Sequence, residues 1–170
     1  LPLSQKMIRC ASVFLALVLS WIPAAAAEIS GVVTAVHDGD TLTLSTGDKV
    51  RVFGIDAPEL AQKCLHGDVC VPCGERAREA LLALTAGKSV VCVHRGKSYR
   101  RIVGECSVDG VAIGPWMLRE GRAVSYNRYL RKADGPTYLD AQNEAMSGKR
   151  GIWAEIFIPM EDWRHHGARL

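Results

Sequence analysis

The chain predicts an α+β domain, a five-stranded β-barrel with about three helices packed on it. Three stretches of near-alternating apolar and polar residues precede one helical period, two more strand-like stretches and trailing helical signals. Short clusters of Gly, Asp, Thr and Pro separate them. With 48% hydrophobic and 23% charged side chains, the chain has the apolar content for a core and is not disordered. At 170 residues one domain is the natural count. Three strands, a helix and two strands close most simply as an OB-fold barrel, an architecture that hosts both binding and catalysis.

Residues 1–27 carry Lys6 and Arg9 but no acid, then an apolar run from Ala11 to Ile22, Pro23 and the alanines Ala24 to Ala27. A basic start, an apolar stretch of roughly a dozen residues and an A-x-A end read as a secretory signal peptide; a membrane span needs about 20 apolar residues, and a retained anchor is the alternative. Met7 fits a start, which would put Leu1 to Lys6 upstream of it. The expectation is a domain over residues 28–170, secreted or periplasmic, with no stable membrane association after cleavage. Removing Lys6 and Arg9 from the 21 basic residues leaves 19 against 18 acidic, so bulk charge identifies no partner. From Arg95 to Lys132, however, nine basic residues (Arg95, Lys97, Arg100, Arg101, Arg119, Arg122, Arg128, Arg131, Lys132) face only Glu105, Asp109 and Glu120. Such asymmetry suits an anion-binding surface.

Strands are predicted over residues 28–36, 41–45 and 49–55, with Gly39 and Thr46-Gly47-Asp48 in the turns. A helix is predicted over 74–85, with Ala77, Ala80, Leu81 and Leu84 on one face and Gly87 as its stop. Strands over 89–94 and 101–108 follow. Pro115 opens a short helix that Gly121 closes, and Pro136 opens the last one, carrying Leu139, Ala141 and Ala145. His37 and His94 read as ordinary strand residues, and His165-His166 as a solvated tail near Trp163.

Cys10 leaves with the signal; Cys64, Cys70, Cys73, Cys92 and Cys106 remain, and export favours disulfides. Cys92 and Cys106 lie at equal distances from Tyr99, so in a hairpin turning there they face each other and pair. Cys64 with Cys73 would staple the loop before the first helix and leave Cys70 odd. Two other readings stand beside it: Cys70-Val-Pro-Cys73 as a thiol redox pair, and Cys64, His66, Cys70 and Cys73 as zinc ligands. The redox motif would follow a buried strand rather than the polar loop 61–69, and the zinc spacing matches no common template.

Asp38 and Asp40 flank a glycine at a strand junction, and Arg51, Asp56 and Glu59 follow in the next strand and its exit. If the strands pair through residues 45–48, Asp40 and Thr41 come near Ile55 and Asp56. Two close carboxylates repel unless a cation or a proton is shared, and a divalent ion with hard oxygen ligands is the physical reason for such a pair. The spacing is not that of an EF-hand. Glu59, past a proline, is placed to hold a water as general base. Arg51 and Arg101 could clamp a phosphodiester and stabilise its charge as water attacks.

Asp38-Gly-Asp40-Thr41, the run from Arg51 to Glu59 ending in Gly-Ile-Asp-Ala-Pro-Glu, and Tyr99-Arg-Arg101-Ile-Val-Gly together resemble the thermonuclease family, the relatives of staphylococcal nuclease. The resemblance runs from about Ile29 to Trp163 and includes Trp116-Met-Leu-Arg-Glu-Gly-Arg-Ala, Tyr126-Asn-Arg-Tyr and Arg150-Gly-Ile-Trp. Gln62-Lys-Cys64 and Cys73-Gly look like its secreted, cysteine-bearing branch and favour the two bridges. The resemblance implies an OB-fold nuclease that hydrolyses DNA and RNA with calcium and low sequence specificity, leaving 3′-phosphate ends. On it, Asp40, Asp56 and the Ala57 carbonyl would bind Ca²⁺, with Asp38 and Thr41 supporting them. Glu59 would be the base, Arg51 and Arg101 would hold the phosphate, and Tyr99, Tyr126 and Tyr129 would line the nucleotide pocket, where rings stack bases without reading them. A single-stranded or locally opened substrate and a monomeric protein are the matching expectations. Lys97-Ser-Tyr-Arg-Arg101 departs from the family's Asp-Arg-Tyr-Gly-Arg. Arg100 replaces the glycine and joins Arg101 as a candidate phosphate ligand, with Arg101 preferred because Ile102-Val-Gly follows in register; a positive φ at Arg100 would carry strain. A nucleic-acid-binding barrel without catalysis is the alternative, weakened by the intact Asp40, Arg51, Asp56, Glu59 and Arg101; a thiol oxidoreductase using Cys70 and Cys73 is a third.

Overall fold

The computed structural model describes residues 27–166. The expected signal segment over 1–27, with Cys10, lies outside the described residues except for its last alanine. β1 (Glu28–Val36), β2 (Thr41–Leu44) and β3 (Lys49–Val52) form an antiparallel meander. A two-residue strand β4 (Ile55–Asp56) and a small hairpin of β5 (Cys64–His66) and β6 (Val69–Val71) lead into helix α1 (Cys73–Thr85). β7 (Ser89–Ser98) and β8 (Arg101–Val108) form a long hairpin. β7 pairs with β1, and β8 pairs in parallel with β3, closing a five-stranded barrel. β9 (Val111–Ala112), α2 (Ile113–Arg119), β10 (Val124–Ser125), α3 (Gly135–Ser147) and α4 (Met160–His166) complete the described chain.

The α+β barrel is therefore the one the alternation predicts. Leu42, Leu44, Val50, Val52, Val90, Cys92, Cys106 and Val108 alternate into its interior, each almost fully buried. Removing an aliphatic side chain of this size from water stabilises by about 1.5–3 kcal/mol. Ala77 and Leu81 carry α1 onto the same core, with Ala80 and Leu84 half-buried beside them. A smaller cluster of Cys64, Val71, Cys73, Ile152 and Met160 lies under the β5–β6 hairpin. No helix among the described residues is long and apolar enough to cross a membrane.

Four departures from expectation have local causes. The strand over 49–55 breaks, because Gly54 turns the chain at φ 77° and any side chain there would run into the Tyr138 ring. β4 consequently leaves the barrel to pair with β10. Thr41 then faces Arg51, not Ile55, and Asp40 accepts from the Val52 amide at 2.8 Å. The Cys92–Cys106 register is as expected, but a bulge between His94 and Gly96 shifts the outer part of the hairpin by one residue. Its tip thus puts the positive φ of 55° on Tyr99 and none on Arg100. Finally, a further short helix, α4, closes the described residues: His165 and His166 end it rather than forming a tail. Glu161 and Asp162 in the first turn of α4 and Arg164 to His166 in its last match the helix dipole, and Met160 anchors it.

Cys92–Cys106 and Cys64–Cys73 are both disulfides, with Cα–Cα separations of 4.0 and 5.7 Å. Cys70 is the free thiol among the described residues and is exposed. Because the Cys73 sulfur is bonded to Cys64, it is not a redox partner for Cys70, and the zinc reading loses the same two sulfurs. The 14-residue separation of Cys92 and Cys106 makes that bridge worth about 3 kcal/mol on the loop-entropy scale. The double variant Cys92→Ala/Cys106→Ala should lose roughly that much in urea unfolding, and a midpoint within error of wild type would contradict it.

Candidate active site

One cavity of about 830 Å³ opens on the barrel face where β3, the β7–β8 hairpin and α4 meet; Arg51, Glu59, Arg101, Tyr99, Tyr126 and Arg164 are among its lining residues. β3 supplies Arg51, flanked by the inward-pointing Val50 and Val52, and the Gly54 turn brings Asp56 back toward the β1–β2 junction. Gly39 sits so close to Ala57 and Ala77 that a side chain there would overlap both. The loop carrying Glu59 is pressed equally tightly onto α1, since a Cβ at Gly74 would collide with the Glu59 carbonyl. Fully buried Gln62 fixes the same loop: its Oε1 accepts from the Glu59 amide at 3.2 Å and its Nε2 donates to the Ile158 carbonyl at 2.7 Å.

Asp40 and Asp56 are each 3% exposed and converge on the Arg51 guanidinium. Its Nη2 lies 2.9 Å from Asp40 Oδ2 and 2.7 Å from Asp56 Oδ1, while Nη1 donates to Asp40 Oδ1 at 2.9 Å. The Thr41 hydroxyl donates to Asp40 Oδ1 at 2.8 Å and accepts from Arg101 Nη1 at 3.3 Å. The Ala57 amide donates to Asp40 Oδ2 at 3.3 Å, and Asp38 Oδ1 accepts from the Asp40 amide at 3.0 Å. Burial pushes the Asp40 carboxyl up to about 7; Arg51 pulls the other way, and Asp38 and Asp56 add repulsion. Burial works against the Arg51 charge too, but Asp40 and Asp56 more than offset it.

Asp38, Asp40, Thr41, Arg51, Asp56, Ala57, Glu59 and Arg101 thus gather at one end of the barrel. Tyr126 lines the cavity, and Tyr99, 97% exposed, forms its rim. The Tyr129 side chain lies outside the described residues. Arg100 is exposed and not part of the lining, which leaves Arg101 as the inward arginine of the pair. Of the basic stretch, Arg95, Lys97, Arg101 and Arg128 line the cavity, whereas Arg119 pairs with Glu144 and Arg131 with Asp134. The bulge turns Arg95 over the Phe53 ring, 5.3 Å from its centroid, and against Glu105.

Sequence reasoning missed Arg164. From α4 its Nη2 donates to Asp56 Oδ2 at 2.8 Å, and its Nη1 to Asp56 Oδ1 at 3.0 Å and Glu59 Oε1 at 2.9 Å. The hydrogen bonds to Asp56, and after them those to Glu59, outweigh burial and hold Arg164 more firmly charged than a free arginine. Seven residues with a single buried apolar anchor give little periodic signal.

The donor set is all hard oxygen, and Asp40, Asp56 and Glu59 set three carboxylates against the two guanidiniums of Arg51 and Arg164. Both properties suit a hard divalent cation. Comparison with known proteins gives the family of the chain. The family model described as staphylococcal nuclease homologue matches residues 49–155. An Escherichia coli protein named "Uncharacterized endonuclease" is 33% identical over 154 residues, 87% of this chain and 92% of that protein. "Probable staphylococcal-like nuclease CAN1" of Oryza sativa subsp. japonica is 37% identical over 116 residues, 68% of this chain and 31% of the rice protein. "Succinoglycan biosynthesis protein ExoI" of Rhizobium meliloti is 34% identical over 147 residues, 84% and 73% of the two chains.

A folded-state Asp40 carboxyl near 7 binds a proton that the unfolded chain releases near its ordinary value of about 3.9, so its contribution is complete below about 3.9 and is lost as pH rises through 7. Asp40→Asn removes this slope. In chelator, the variant should gain on wild type by on the order of 3 kcal/mol between pH 4.5 and 8 in urea unfolding; parallel pH profiles for the two proteins would contradict it.

Proposed function

The chain belongs to the staphylococcal nuclease homologue family, and on that premise we propose that it is a nuclease: a calcium-dependent phosphodiesterase that hydrolyses DNA and RNA with low sequence specificity. The observation that carries this reading is the convergence of buried Asp40 and Asp56 on Arg51, which itself lines a cavity together with Glu59 and Arg101. Asp40, Asp56 and the Ala57 carbonyl would hold the ion, with Thr41 and Asp38 fixing Asp40 from behind. A calcium ion bound there supplies positive charge to a non-bridging phosphate oxygen.

The protein's own groups do the rest. Glu59, on a loop locked by Gly74 and Gln62, accepts the proton of a water attacking phosphorus. The P–O5′ bond breaks, the 5′ oxygen leaves and takes a proton from solvent water, and the phosphate stays on the 3′ side. Arg101 and Arg51 stabilise the charge gathering on the phosphate oxygens. A guanidinium has five N–H donors, so Arg51 can keep Asp40 and Asp56 and still reach a phosphate. Tyr99 and Tyr126 offer faces for bases without hydrogen-bond readout, which favours single-stranded or opened substrates. Two disulfides suit secretion or a periplasmic location, and the protein would act as a monomer.

The test is cleavage of single-stranded DNA and RNA by the mature protein, with calcium or with a chelator, against Glu59→Gln. Wild type should cut only with calcium and leave ends that a polymerase extends only after phosphatase treatment. Glu59→Gln should lower kcat by roughly 10²–10⁴ with little change in substrate binding. Tight binding by wild type without calcium-dependent cleavage would replace the nuclease reading with the binding one.

A further inference from the structure

We propose that Arg164 is a positioning residue that stands in for the divalent cation, holding Asp56 and Glu59 while the cation is absent and releasing both when it binds. The inference rests on the cation reading of Asp40 and Asp56 above. Asp56 is 5% exposed at its side chain, and its Oδ1 already accepts from Arg51 at 2.7 Å and from Arg164 at 3.0 Å. Oδ2 accepts from Arg164 at 2.8 Å. Each carboxylate oxygen offers about two acceptor directions, so Arg51 and Arg164 fill Oδ1, and the bidentate Arg164 takes one of the two directions by which an ion at about 2.3–2.6 Å would reach Oδ2. The third bond, to Glu59 Oε1 at 2.9 Å, engages one of the two oxygens with which the base could hold a water.

The placement of α4 suits exchange without unfolding. The Met160 side chain is buried at its start, and the preceding Ile158 carbonyl is held by Gln62, so the helix is fixed by its N-terminal end. Glu161, Arg164 and His165 share one helical face and all line the cavity. The Arg164 side chain is 33% exposed on that face, with a cavity of about 830 Å³ to swing into.

Calorimetric titration of the metal-free mature protein with CaCl₂ tests this. Arg164→Gln should bind calcium about tenfold more tightly than wild type, the equivalent of one charge-assisted hydrogen-bond set no longer displaced, and Arg164→Lys, which keeps the charge but not the fork, should fall between them. Asp56→Asn should abolish the heat and so assign it to this site. A second measurement on wild type does not depend on the variant folding: the Arg164 Nη–H NMR signals should be slow to exchange in chelator and should broaden or shift at saturating calcium. Equal or weaker binding by Arg164→Gln, or an Arg164 signal unchanged at saturation, overturns the proposal while leaving the cation reading intact. Absence of calcium binding in both wild type and Arg164→Gln overturns both, and binding by the variant alone supports the proposal.

Discussion

Three carboxylates, Asp40, Asp56 and Glu59, are forced together at one end of a barrel, two of them almost out of reach of water, and the arrangement is tenable only with positive charge among them. Taking an ion out of water costs several kcal/mol even in a relaxed protein interior, and like charges add repulsion to that cost. Arg51 neutralises the inner pair and Arg164 the outer one. Each shares a single guanidinium between two acids, so removing either arginine leaves a carboxylate uncompensated. The carboxyl of Asp40, deepest in the set, shows the residual imbalance in its upward shift to about 7, of which burial is the main cause.

The barrel makes this crowding possible, and its small residues make it precise in space. Asp40, just ahead of β2, and Arg51, on β3, are brought together by a register that inward Leu42 and Val50 set. Asp56 arrives only because Gly54 takes a left-handed turn against Tyr138, and Glu59 only because Gly74 offers no side chain where its carbonyl passes. These are separate constraints on separate elements, and they meet at one cavity mouth. The disulfide between Cys64 and Cys73 closes the segment that carries Gln62 to the start of α1, limiting how far the Glu59 loop can open.

What the sequence made legible follows the physics that is local. The five barrel strands appear as alternation because one face of each is buried, and the Cys92–Cys106 pair is readable because hairpin symmetry needs only a midpoint. Asp40, Arg51, Asp56, Glu59 and Arg101 were readable as an ensemble of types that makes chemical sense together. The Gly54 turn that takes Ile55 and Asp56 out of the third strand was not, since the Tyr138 ring packed against it is 84 residues away in sequence. The bulge that moves positive φ from Arg100 to Tyr99 has no signature beyond a single glycine, Gly96. Arg164 was illegible because its meaning is wholly tertiary: its carboxylate partners lie 105 and 108 residues earlier.

Gln62 joins these separate parts. Its Oε1 holds the backbone of Glu59, its Nε2 holds the Ile158 carbonyl just ahead of α4, and its own carbonyl accepts from the Gly74 amide at 3.1 Å. The neighbouring strand β5 adds a second tie, Leu65 and Ile156 exchanging two backbone hydrogen bonds of 2.8 Å. A neutral hydrogen bond of this kind contributes only about 1 kcal/mol, but a buried amide left without partners costs about 1–3 kcal/mol, so Gln62 is held to both contacts at once. The base and the arginine opposite it are therefore positioned from one buried side chain, and a shift on either side of the cavity is transmitted to the other through two hydrogen bonds. That link fixes the start of α4, the helix from which Arg164 reaches Asp56 and Glu59, where the charge balance of the site is decided.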